Sequence, residues 1–157
     1  MLSELDTSGL KYFQLAKSQD ELNRIFKFRY QVYVEELNRE TSIADHKNKM
    51  FYDNYDKLPN CFQFYKEING EIYGVIRVII WDHLDIPDKV KKEYHLNAIK
   101  YKFKKIAITG RLMIHKKFRH NLDFINFVQE YYQFLNKNNV DICVASAVPG
   151  LLHFYQH

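Results

Sequence analysis

The stretch CFQFYKEINGEIYGVIRVIIW, residues 61–81, decides how the rest of the chain is read. Two runs rich in β-branched and aromatic residues flank Asn69-Gly70, the pair that most readily supplies the two positive-φ residues of a type I′ turn. A β-hairpin follows, with strands over 61–68 and 71–81. Upstream, LKYFQLA (10–16) alternates as a strand does, and SQDE (18–21) is a capping box that opens a helix running to about Leu37. Residues 38–59 are polar and mixed, too long for a passive connection. Downstream, IPDKVKKEYH starts a short helix near Pro87 and KIAITGRLMIH (105–115) is a strand. LDFINFVQEYYQFLNKN (122–138) carries apolar residues at 124, 127, 128, 131, 134 and 135, a helical stripe. VDICVASAV (140–148) reads as a buried strand, and Pro149 opens a last short helix, PGLLHFYQH. Hairpin strands followed by β-α-β predict an α/β (α+β) mixed sheet with helices on both faces.

At 157 residues with 46% hydrophobic content, the chain fits one globular domain, residues 1–157. Its net charge of +4 gives mild attraction for acidic partners. The lysines are scattered rather than gathered in a block, which argues against nucleic acid; the densest basic run is Lys100 to Lys105. Aromatic content is high, with 12 Tyr and 12 Phe, and core packing is the reading favoured over a lined tunnel. Cys61 and Cys143 have no metal or redox spacing and lie among apolar neighbours, so both are expected to be buried free thiols. Residues 1–10 hold two acidic residues and no apolar run, and no segment is apolar enough to span a membrane. Cytoplasm is the expected compartment.

One helix position is anomalous. Leu22, Phe26, Arg29, Tyr33 and Leu37 share a face at spacings of three and four, so Arg29 sits on an apolar stripe. A guanidinium there must be paired, or burial costs free energy.

Four short motifs follow in order: Arg29 with Tyr33 four residues on, FYDNYD with Asp53 and Asp56, GVIR with Gly74 and Arg77, and GRLMI with Arg111. In this order they resemble the GNAT acyltransferase superfamily, and within it the branch of acyl-homoserine-lactone (autoinducer) synthases and N-acyl amino acid synthases. The resemblance implies an N-acyltransferase that moves a long acyl chain to the amine of an amino acid or similar small acceptor. The implied donor is the phosphopantetheine thioester of acyl-carrier protein, or acyl-CoA, with no metal. The acetyl-CoA users of the superfamily carry a glycine-rich turn where this chain has FRHNLDF (118–124), with Leu122 and Phe124 in place of glycines. That turn counts against the alternative of an acetyl-CoA-dependent N-acetyltransferase.

By the same resemblance, Arg111 and Tyr155 take catalytic roles, Tyr155 either protonating the leaving thiolate or packing as an aromatic under the sheet. Arg29, Tyr33, Asp53, Asp56 and Arg77 form the substrate side, either as a cluster touching substrate or as a buried ionic latch. Met113, Arg119, His120 and Asn121 fall on the donor side, and Lys116, Lys117 and Arg119 form a basic knuckle that either meets an acidic carrier or is simply solvated. His115 is the histidine nearest the strand end. Ile108 stands where the family has a glutamate that handles the acceptor amine, which keeps open a third reading: a non-catalytic module that binds acyl groups or carrier protein. The family's sheet normally continues after the helix bearing Tyr155, so further strands are expected beyond His157.

Overall fold

The computed structural model of the protein describes residues 5–119 and 123–145. Strand β1 (Gln14–Leu15) leads to helix α1 (Gln19–Tyr30), which widens without a break into a π-helical turn, Gln31–Glu36. The 38–59 segment then forms a small hairpin, β2 (Ala44–Asp45) with β3 (Met50–Phe51), and a 3-10 turn, Asn54–Lys57. The long hairpin is β4 (Cys61–Ile68) and β5 (Glu71–Asp82), closed by Asn69 and Gly70 at φ 51° and 82° as the turn chemistry requires. Helix α2 (Asp88–Glu93), strand β6 (Lys105–Ile114), helix α3 (Asp123–Lys137) and strand β7 (Ile142–Ala145) complete the described chain.

The five-stranded sheet has the order β1-β4-β5-β6-β7, antiparallel except for the β6–β7 pair. Pleat alternation divides its residues between two faces. Phe64, Ile76, Val78, Ile80 and Ala107 pack under α3 against Phe127, Phe134 and Leu135. On the opposite face, Tyr65 and Val75 meet Ile25, Phe26 and Phe28 of α1, while Ile79, Ile106 and Ile108 meet Val90 of α2. Buried aromatics such as Phe13, Phe64 and Phe134 are packed edge to face in this core.

Three sequence expectations are corrected. The 10–16 strand shrinks to two paired residues because the N–H groups of Lys11, Tyr12 and Phe13 donate instead to the buried Glu130 carboxylate, at 2.6 Å for Tyr12 and 3.0 Å for Phe13. The helix over 18–37 is α-helical only to Tyr30; the wider turn that follows rotates Leu37 off the apolar face, where it is 42% exposed. Cys143 is not buried: Ile142 and Val144 turn toward the α2 side, and alternation sends Cys143 to the other face at an exposed position. Residues 146–157, including the expected last helix, lie outside the described residues.

Candidate active site

Helix α1 is anchored at its start by the box read in the sequence. Ser18 Oγ accepts from Glu21 N at 3.2 Å and Glu21 Oε2 accepts from Ser18 N at 2.8 Å. The Lys17 N–H, the Tyr65 hydroxyl and Ser18 together hold the Glu21 carboxyl at about 2. Eight residues further on, the helix delivers Arg29, with no solvent exposure, onto the sheet.

Its partners come from the 53–57 turn and the sheet below. Arg29 Nη1 meets Asp56 Oδ1 at 2.9 Å, and Arg29 Nη2 donates to Gln63 Oε1 on β4. The two aspartates cap one another's turn: Asp53 Oδ1 accepts from Tyr55 N at 2.9 Å, and Asp56 Oδ2 accepts from Asp53 N at 2.7 Å. Their three-residue spacing is thus a capping requirement, and the remaining oxygen lone pairs face the arginines. Arg77 Nη1 reaches Asp53 Oδ1 at 2.7 Å and Asp56 Oδ1 at 3.1 Å. Gln63, paired with Arg77 across the β4–β5 ladder, donates its Nε2 to Asp56 Oδ1 at 2.7 Å.

Arg111 joins through a break in the ladder. β5 and β6 pair Arg77 with Gly110 but Val75 with Met113, so two residues, Arg111 and Leu112, stand opposite Ile76. Arg111 takes φ 56°, a left-handed conformation uncommon for a side-chain-bearing residue. Strict alternation would turn it toward α3. The bulge aims it at the α1 side, where Nη2 meets Asp53 Oδ2 at 2.6 Å. Its guanidinium lies 4.5 Å from the Phe51 ring centroid; Phe51 stacks on Tyr33 at 4.6 Å and 18°, and the Arg39 guanidinium lies 5.3 Å from the Tyr33 ring centroid. A shallow depression of ≈ 680 Å³ lined by Arg39, Asn38, Thr41 and His46 among others lies on the same loop, and no member of the cluster lines it.

Three guanidinium groups face two carboxylates, leaving one positive charge in excess, and Arg111 is the most exposed of the three arginines at 21%. Burial pushes both aspartates up, but Arg29 and Arg77 beside Asp56, and Arg111 and Arg77 beside Asp53, outweigh it and hold both below the usual carboxylate range. Burial draws Arg29 down, opposed by Asp56, whereas the two carboxylates carry Arg77 above its ordinary value despite burial. Among the described residues the Nε–H groups of Arg29 and Arg77 find no acceptor. Such an arrangement adds little net stability over apolar packing, yet losing one partner costs about 3–5 kcal/mol.

The cluster therefore unites Arg29, Asp53, Asp56, Arg77 and Arg111, with Tyr33 one ring away. Gln63 and Phe51 belong to it and were not singled out in the sequence. Gln63 is legible as the one amide within CFQFY, the apolar half of β4. Met113 packs beside Val75 on the α1 face. Arg119 is engaged within the protein, donating Nε to Ile114 O at 2.9 Å and pairing with Glu36 of the π-helical turn. His115 Nδ1 accepts from Lys117 N at 3.3 Å, a turn contact. Ile108 is buried among Ile79, Ile106 and Val144. Nearby, the Tyr55 hydroxyl donates to Glu93 of α2, and the Tyr55 ring lies against Arg77. Tyr155, His120 and Asn121 lie outside the described residues.

Residues 24–157, which include every member of this cluster, match the family described as N-acyl amino acid synthase FeeM. The chain belongs to the FeeM family of N-acyl amino acid synthases. It is accordingly an acyltransferase with a GNAT-type fold. FeeM itself, an N-acyl amino acid synthase from uncultured soil microbes, superposes with a TM-score of 0.66 at 14% identity, over 91% of this chain and 74% of that one. The AHL synthase LasI gives 0.67 at 19% identity, over 92% and 75%. Escherichia coli ElaA gives 0.65 at 16% identity, over 92% and 82%. No curated protein matches by sequence. FeeM-family membership gives the Arg–Asp cluster its setting, a sheet shared with other acyltransferases. Among the described residues no helix is long and apolar enough to cross a membrane, and no group of His, Cys, Asp and Glu could hold a metal ion.

Proposed function

We propose that the protein transfers an acyl group from a thioester, carried on acyl-carrier protein or on CoA, to the amine of an amino acid or similar small acceptor. The observation that carries this reading is the family match together with the aimed Arg111: a bulge places the partly exposed cation of a net-positive cluster on β6, next to the strand edge where GNAT chemistry takes place. In the reaction the neutral amine attacks the thioester carbonyl, the C–N bond forms, the C–S bond breaks and the thiolate takes up a proton. Arg111 is suited to stabilise the negative charge that develops on the carbonyl oxygen. The ionic cluster behind it fixes its position, and Arg29, Arg77, Asp53, Asp56 and Tyr33 shape the substrate side. Tyr155 supplies the thiolate's proton in this scheme. Ile108 leaves no carboxylate at the family's usual place for accepting the amine's proton, so the acceptor must arrive largely deprotonated or lose its proton to water.

Incubating the protein with acylated carrier protein or acyl-CoA and mixed amino acids, with mass spectrometry of the products, tests the reading. Long-chain N-acyl amino acids are the expected outcome. Acetylation alone would assign it to the acetyltransferases, and carrier or acyl binding without any product would make it a binding module. Charge reversal at Lys116, Lys117 and Arg119 is expected to weaken carrier binding and reduce its salt dependence. Unchanged affinity would place the docking surface elsewhere.

A further inference from the structure

We propose that the end of the sheet formed by residues 83–85 and 99–104 docks on an anionic lipid surface. Leu84 and Tyr101, 91% and 81% exposed, stand well clear of the other exposed large apolar residues described, of which Tyr132 at 54% is the next. The two belong to neighbouring segments. His83 N donates to Lys104 O at 2.7 Å, extending the β5–β6 pairing past Asp82 and Lys105, and the His83 ring packs edge to face on Phe103 at 4.7 Å. Beneath them Ile99 and Phe103 pack into the core cluster of Ile86, Val90 and Leu96. The protruding side chains therefore rise from an anchored base.

Around them are the exposed lysines 100, 102 and 104, the basic run that the acyl-transfer site does not use. The acids in or next to these two segments are Asp85 and Asp82, against Lys100, Lys102 and Lys104. Asp141, the next acid along the edge, accepts the N–H groups of Lys104 and Lys105 at 2.8 and 2.9 Å and keeps its negative charge, so with Lys105 included four lysines face three aspartates and one positive charge remains in excess.

The chemistry selects a bilayer over a protein partner. Leu84 and Tyr101 project singly; a headgroup layer accepts protruding side chains without a matching pocket, and tyrosine and leucine among lysines are the residues of interfacial anchors. Carrier-protein docking fits this end poorly, because six residues of extended chain stand between Lys104 and Arg111, a span of about 23 Å. The proposal stands independently of the acyl-transfer reading.

Co-sedimentation of the whole chain with vesicles of phosphatidylcholine, alone or mixed with phosphatidylglycerol, tests it. Binding is expected only to the anionic vesicles and should weaken as salt is raised. The triple variant Lys100→Glu, Lys102→Glu, Lys104→Glu should lower the partition constant by about a hundredfold or more, and Leu84→Ser with Tyr101→Ser should lower it without abolishing the salt dependence. Circular dichroism verifies that the variants fold. Equal binding to both vesicle types, no binding to either, or wild-type binding by the variants would overturn the proposal. Binding to an acidic carrier protein through these residues, with none to vesicles, would overturn it in favour of a protein partner.

Discussion

Replacing Asp56 by Asn changes one charge at almost constant shape, in a side chain only 1% exposed. Oδ1 serves three donors, from Arg29 at 2.9 Å, Arg77 at 3.1 Å and Gln63 at 2.7 Å, while Oδ2 accepts the Asp53 N–H at 2.7 Å. An asparagine has one oxygen, so either orientation sets an N–H group against a donor and leaves the buried Arg29 without a counter-charge. Breaking a buried pair costs about 3–5 kcal/mol; since Arg77 keeps Asp53 and one acceptor oxygen survives, the lower end, about 3 kcal/mol, is expected. In a domain of this size that lowers the melting temperature by about 6–12 °C.

The effect depends on pH in a defined direction. The folded Asp56 carboxyl titrates below the unfolded one. Its contribution is therefore complete above about pH 4, the unfolded carboxylate value, and is lost as pH falls through the lower folded value. The gap between wild type and Asp56→Asn should accordingly be widest at neutral pH and narrow on acidification. Thermal and urea unfolding followed by circular dichroism measure it. In a double-mutant cycle, Arg29→Met with Asp56→Leu should cost at least about 1 kcal/mol less than the sum of the two single changes. A melting shift under about 2 °C for Asp56→Asn, or strict additivity in the cycle, would refute the view that this pair is coupled and buried.

Other outcomes follow from neighbouring features. Ile108→Glu puts a carboxyl among Ile79, Ile106 and Val144; its folded pKa must rise, so the destabilisation should be larger at pH 8 than at pH 4 in urea melts, and equal stability at both would show that the position is open to water. Burial pushes the half-buried Cys61 thiol up to about 12 whereas Cys143 is exposed, so a disulfide-exchange reagent at pH 8 should titrate one thiol quickly and the second much more slowly, with Cys61→Ser leaving the fast phase intact.

What the sequence discloses here, and what it withholds, divides by range. The hairpin, the capping box and the burial of Arg29 are local consequences of Asn-Gly, Ser-x-x-Glu and an apolar stripe, and all are found. The pairing of Asp53 and Asp56 with the arginines is what the family resemblance implies, not something any local pattern encodes. Gln63 was passed over because its role depends on register across β4 and β5, which no single strand encodes. The π-helical turn and the Phe51–Tyr33 stack depend on how residues 38–59 fold back, and the shortened first strand depends on Glu130, more than a hundred residues away in sequence. Such long-range pairings of backbone groups leave no periodic trace.

The bulge on β6 has an implication for how this site can change over time. Beyond it, Leu112 still packs with Ile76 under α3, and Met113 still pairs with Val75 on the α1 side. These are the faces both residues would occupy in an uninterrupted ladder with residue 111 absent. Arg111 is thus spliced into the strand rather than counted in it. Deleting that single codon would remove the exposed charge while keeping every flanking side chain in phase, so the sheet and the arginine can be gained or lost separately in the lineage of such chains.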